Sequence, residues 1–447
     1  MRLSPFSKVL ATCATLLTAS MAFAAKQPLT IDISYLHYQP ERPPALSNIL
    51  PEPEDAGLAG AQLGIKDNNT TGRFLKHKYQ LSHSINDTPE AMLADAKQRF
   101  ADGQRLFVAN MPAAQLKQLS EALGPDALIF NAGSQADSLR SEICLNNVLH
   151  TTPSRSMLTD ALGQWLNAKR LKEWLLITGN QPEDKAYAAA LKRTAKRFGA
   201  DIVEEKQWSF DTDLRRTAQK ELPLFTQTDE YDVVVVADER GDFGEYLLYN
   251  TWYPRPVAGT QGLTPVTWHR VVEQWGAAQL QKRFDKKHKR WMTGKDYAAW
   301  AGVRSIAEAV TQTKTNDASQ LRSYILSDKF QLAAFKGRKL NYRIWNGQLR
   351  QPIPLVHPRA LVSQSPQEGF LHDVLRLCVV SRDPVREGDQ RGTMWLELHH
   401  ATERSSRSCT RAATWCAELA TASASSPWPV LAATHSEPSP WSAAAIS

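Results

Sequence analysis

From residue 29 to residue 372, short apolar runs alternate with segments whose apolar positions recur every three to four residues. Ile31–Leu36 reads as a first strand, and Leu58, Ala61 and Ile65 follow at helical spacing. Glu90–Phe100 reads as a helix opened by Thr88 as cap and Pro89 as first residue. Leu106–Ala109 is a buried strand, Ala113–Leu123 a helix and Ala127–Phe130 a strand. The pattern restarts after a polar connection at Asn146–Ser154. Leu158, Leu162, Trp165 and Leu166 form an apolar helix stripe, Trp174–Thr178 a strand, and Ala188–Phe198 a helix ended by Gly199. Asp201–Val203 begins a further strand, and Val233–Val236, four β-branched residues in a row, suits a parallel strand covered on both faces. Val303, Ile306 and Val310 mark a late helix; Leu340–Trp345 and Gln348–Val356 read as a hairpin with a type I′ turn at Asn346–Gly347.

Alternating strands and helices imply parallel sheets, and two such series imply two α/β lobes. The first is expected over 25–150 with about 258–335, the second over 151–257 with about 336–372. The N-terminus adds an address. Arg2 and Lys8 precede an apolar or small stretch from Val9 to Ala24 that closes on Ala22-Phe23-Ala24, the pattern of a signal peptide cleaved after Ala24. A membrane anchor and lipidation at Cys13 are the competing readings.

The last stretch, Asp373–Ser447, departs from the rest. It lacks Lys, Phe, Tyr and Asn, yet holds four tryptophans and three of the five cysteines. The missing types have AT-rich codons, so a GC-rich gene read out of frame after about His372 would give such a tail, disordered or aberrant; a low-complexity extension is the alternative. The net charge of +7 over 447 residues is too small to argue for nucleic acid. The basic run Lys282–Arg290 reads as a solvated helix anchored by Phe284 and Trp291. No dinucleotide fingerprint, phosphate loop, zinc spacing or nucleophile elbow occurs, so no cofactor, metal or catalytic group is expected. Asp238-Glu239-Arg240-Gly241-Asp242 places carboxylates at a strand's C-terminal end, where α/β proteins bind ligands; a solvated loop is the plainer reading.

With these motifs placed, Ile31–His372 resembles the type I periplasmic solute-binding proteins of ABC importers, of the leucine/isoleucine/valine-binding kind. Gly60–Asn68 is similar to that family's first helix, Gly72–Leu81 to its second strand, Asn147–Ser154 to its crossing between lobes, and Trp174–Val203 to the following strand–helix–strand. Asp296–Ile306, Arg343–Pro352 and Val356–Val362 resemble the subgroup associated with pyrroloquinoline-quinone (PQQ)-dependent alcohol dehydrogenase systems. The resemblance implies two Rossmann-like lobes joined by a three-strand hinge. It implies a periplasmic, monomeric receptor that closes on a small organic solute and presents it to an ABC permease in the inner membrane. A sensory or accessory module serving a PQQ-dependent dehydrogenase, and an uncharacterised periplasmic enzyme, are the alternatives.

The implied ligand contacts are Asn110 after the third strand and Ala132, Gly133 and Ser134 after the fourth, where Ser134 and nearby backbone N–H groups would hold an anion or hydroxyl. From the second lobe come Tyr187, the closing aromatic, and Asp238. Gln261 stands where the family has its ammonium-binding glutamate, and a neutral amide cannot neutralise a buried ammonium. An amino-acid ligand is therefore not expected.

Overall fold

The computed structural model describes residues 28–41, 52–209, 218–368 and 370. The expected signal peptide, the tail from Asp373 and four of the five cysteines lie outside these residues; Cys144 is exposed.

The first lobe is built on five parallel strands in the order β2-β1-β3-β4-β5: β1 Leu29–Tyr38, β2 His77–Asn86, β3 Leu106–Asn110, β4 Leu128–Asn131 and β5 Val148–His150. Helices α1 Leu58–Leu75, α2 Pro89–Ala101 and α3 Ala113–Leu123 connect them. Every side chain of β3 is buried because helices cover both faces. Thr88 caps α2 through Ala91 N–H, with Pro89 at the first helical position. Two expectations change here. Gly72 lies inside α1, where a Cβ would crowd the His77 carbonyl at 2.6 Å, and the second strand begins only at His77. The polar connection 146–154 contains β5, three buried residues too short to carry a period.

The second lobe has four parallel strands in the order β7-β6-β8-β9: β6 Glu173–Thr178, β7 Asp201–Gln207, β8 Val233–Ala237 and β9 Val257–Gly259. Its helices are α4 Arg155–Ala168, α5 Pro182–Phe198, α6 Ala218–Phe225 and the short α7 Gly244–Leu247. Gly199 ends α5 in the left-handed region, φ 67°.

After β10 Thr264–Pro265 the chain returns to the first lobe for α8 Ala277–His288, α9 Gly294–Thr313 and α10 Ala318–Ile325. Helix α9 lies directly on α1. A Cβ on Gly60 would collide with the backbone carbonyl of Asp296, and one on Gly64 would sit 2.9 Å from Val303 Cγ1. Asp296 closes a capping box with Thr293, accepts the Gly57 N–H at 2.7 Å and pairs with Arg290 at 2.6 Å. Phe284 is buried under α8 as expected, but Trp291 is exposed and lies under the Arg270 guanidinium at 5.2 Å.

Three short strands, β11 Leu332–Ala333, β12 Lys339–Tyr342 and β13 Leu349–Arg350, form one antiparallel sheet, and β14 Ile353–His357 and β15 Ala360–Ser365 join β10 in another. The sequence divides the lobes at about 336; by side-chain packing Leu340 and Leu349 join the first core, and Ile353 and Leu355 the second. The turn between β12 and β13 is not type I′, because Gly347 alone of its central pair has positive φ. A Gly347 N–H to Arg343 carbonyl bond of 3.0 Å closes it instead.

Candidate functional site

The chain passes between the lobes three times: at 151–154, between β9 and α8, and at 351–352. Amide side chains lace the first and third crossings together. Gln348 Nε2 donates to the carbonyls of His150 (3.3 Å) and Thr152 (3.1 Å), and Gln351 Nε2 donates to that of Thr151 (2.8 Å). Arg140 adds the loop after β4. Its Nε donates to Gln348 Oε1 at 3.0 Å, Nη1 to the carbonyls of Ser134 and Ala136 at 2.9 Å, and Nη2 to that of Thr152 at 3.0 Å. Burial lowers this guanidinium to about 9.

Asn131, at the end of β4, organises the loop holding Ala132, Gly133 and Ser134. Its Oδ1 accepts the N–H groups of Gly133 (3.2 Å) and Ser134 (2.9 Å), and its Nδ2 donates to the Ser134 carbonyl at 2.8 Å and to His150 Nδ1 at 3.0 Å. The backbone donors expected to hold an anion are thus already engaged. His150, on β5, is held well below the usual histidine range by burial and by the Arg140 charge, so it stays neutral and accepts at Nδ1. Asn110 reaches the neighbouring segment, donating to Tyr35 Oη (3.1 Å) and the Ala56 carbonyl (3.3 Å). Gly133 packs against it; a Cβ there would fall 2.5 Å from Asn110 Oδ1. Asn110, Ala132, Gly133 and Ser134 therefore form one group.

In the second lobe the loop after β8 is closed by its own backbone. Asp238 accepts N–H groups from Asp242 (2.9 Å), Phe243 (2.9 Å) and Gly244 (2.7 Å). Gln261 borders the same loop, against Gly244. Asp184, on α5, accepts the N–H of Glu239 at 2.8 Å and of Gln181 at 3.1 Å, and burial raises its carboxyl to about 6. Tyr187, one turn further along α5, is 3% exposed and belongs to the second core; burial raises its phenol far above the usual range.

Arg155, the first residue of α4, joins the two lobes' strand-end loops. Its N–H donates to the Gln135 carbonyl at 2.9 Å, beyond β4, and its guanidinium pairs with Glu239, beyond β8, in two bonds of 2.6 Å. Burial opposes the guanidinium charge, and the Glu239 carboxylate more than offsets this. The sequence singles out the loop containing Glu239 but not Arg155: the two are 84 positions apart and share no periodic signal. A separate cavity of 510 Å³, lined by Asp32, Leu106, Asp126 and Asp317 among others, opens at the N-terminal ends of the first sheet's strands, away from these loops.

This arrangement, two parallel sheets whose strand-end loops are tied by Arg155 beside three crossings, has solved counterparts. A branched-chain amino acid ABC transporter periplasmic ligand-binding protein from Burkholderia xenovorans LB400 superposes with a TM-score of 0.60 at 15% identity, over 75% of this chain and 95% of that one. This chain has the type I periplasmic binding protein fold. The same fold recurs in an ABC transporter substrate-binding protein from Sphaerobacter thermophilus (TM-score 0.60, 14% identity, 75% and 98% of the two chains). It recurs again in a solute-binding protein of an ABC transporter from Rhodopseudomonas palustris BisB5, solved with 3,4-dihydroxy benzoic acid (0.55, 12%, 73% and 93%). The family model described as periplasmic binding protein matches residues 52–222, from the start of the described first-lobe helices into the second lobe. No curated protein matches the chain. In this periplasmic binding protein fold the chain crosses between the lobes as extended segments, and the polar side chains concentrated there keep the backbone groups of those segments paired.

Proposed function

We propose that this chain is the periplasmic solute-binding component of an ABC importer. Exported by residues 1–24, it takes up a small organic solute between its lobes and delivers it, as a monomer, to an inner-membrane permease. The observation that carries this reading is Arg155, which ties the loop after β4 to the loop after β8 and so puts both sets of strand ends beside one hinge. Asn110, Ala132, Gly133 and Ser134 on one side and Tyr187, Asp238 and Gln261 on the other are the proposed ligand contacts.

The carboxylates speak to ligand chemistry. Asp238 is engaged by three backbone donors, Glu239 by Arg155 and Asp184 by two backbone donors, and Gln261 is neutral. A ligand ammonium finds no unengaged carboxylate among these four positions. The solute we propose is an uncharged or acidic compound of the alcohol, aldehyde or carboxylic acid type, consistent with service to PQQ-dependent alcohol oxidation. A thermal-shift screen of the purified protein against alcohols, their aldehydes and acids, and amino acids tests this. The expected result is an upward Tm shift with one of the first three classes and no turnover. Stabilisation by branched-chain amino acids alone would overturn the reading of Gln261.

A further inference from the structure

Helix α8 presents a face that carries none of the proposed ligand contacts. Its underside is fixed, with Leu280 and Phe284 fully buried, while Lys282, Lys286, Lys287 and Lys289 are exposed. Lys66 on α1 lies close enough to Lys287 to lower its pKa, second to partial burial of the amine. Arg270 extends the charge on the other side, above Trp291. Nearby, Asp67 is occupied by Arg283 at 3.0 Å, and Glu273 and Asp285 leave an excess of positive charge. Two tryptophans stand just beyond the helix ends, Trp275 at 43% and Trp291 at 54% exposure. Twelve helical residues span about 18 Å, so along the chain the lysines lie between the two tryptophans.

We propose that this face of the first lobe docks on an anionic phospholipid surface. Three features select lipid over an acidic polypeptide. The charges on the helix face are mainly lysine point charges, which suit a diffuse layer of phosphates rather than a ligand of fixed shape. The half-exposed tryptophans have an apolar body and one N–H donor, the combination that settles at headgroup depth. The helix is already held rigid by its buried underside, so association orders little beyond lysine stems, which can lie along the surface with their ammonium groups in the phosphates. Docking would hold the receptor at the bilayer surface, whatever solute it carries, and is independent of the solute reading above.

Vesicle flotation of the full chain tests the proposal, with phosphatidylglycerol/phosphatidylcholine vesicles against pure phosphatidylcholine. Binding is expected only to the anionic vesicles, and it should fall steeply as salt is raised to about 0.5 M. The double variant Lys282→Glu/Lys286→Glu should bind at least tenfold more weakly, and Trp291→Ala should weaken binding without changing the salt dependence. Matching Tm values would show that the exposed substitutions leave the fold intact. Equal flotation with neutral vesicles, or unchanged binding by the double variant, would overturn the proposal. So would tighter binding to polyglutamate than to anionic vesicles of equal charge, which would assign the face to an acidic protein instead.

Discussion

Asn131 is fully buried and makes four side-chain hydrogen bonds, two as acceptor and two as donor, within one loop and to one histidine. Removing it leaves the buried Ser134 N–H, the part-buried Gly133 N–H, a carbonyl and an imidazole nitrogen with one partner fewer. Each orphaned group costs about 1–3 kcal/mol, less whatever water recovers. Asn131→Ala is therefore expected to lose roughly 2–4 kcal/mol of unfolding free energy, read by urea denaturation. It should also free the Gly133 and Ser134 N–H groups. An unchanged midpoint would mean that the loop holds itself together. The sequence singles out Ala132, Gly133 and Ser134 in this loop and passes over Asn131, because a hydrogen-bonding hub differs from a ligand contact only in which way its atoms point.

Among the elements, the contact of α1 with α9 depends on an absent side chain. Gly60 meets the Asp296 backbone, and backbone cannot rotate away as a side chain tip can. Gly60→Ala should cost about 1–3 kcal/mol or more from overpacking, despite alanine's better helix propensity. Gly103, with open space around its Cα, is a poor control because its φ of 96° strains any side chain. An exposed helix position such as Lys97→Ala serves better, and the two variants should separate clearly in a thermal melt. Strands and helices with several buried positions, β8 and α5 among them, were readable in the chain itself. The three-residue β5 and the turn at Gly347 were not, since too few residues carry the period and the turn is set by a hydrogen bond to Arg343.

At the scale of the molecule, Lys336 sits between two crossings. It is 2% exposed, donates to the carbonyls of Thr267 and Pro352, and lies 4.9 Å above the Tyr297 ring; burial lowers its amine to about 7. In the unfolded chain the same amine keeps its proton to about 10.4. Between these values the unfolded state binds the extra proton, so this group's contribution to stability rises as pH rises from 7 towards 10, and its full penalty applies below 7. Lys336→Met removes the titration. The stability of the parent minus that of the variant should therefore climb between pH 7 and pH 10 in chemical denaturation, whatever its offset. A flat difference would mean that the amine is hydrated and charged throughout.

Local pattern by itself determined the alternation of strands and helices, their order, the caps at Thr88 and Gly199 and the two-lobed architecture, because each follows from a period or a stop signal within some ten residues. Only the tertiary structure decided which polar groups remain unengaged. Arg155 and Glu239 are 84 residues apart, and Arg140 and Gln348 are 208 apart. Such pairs have no spacing rule; they exist because burial at the crossings obliges each donor and acceptor to find whatever partner the fold brings near.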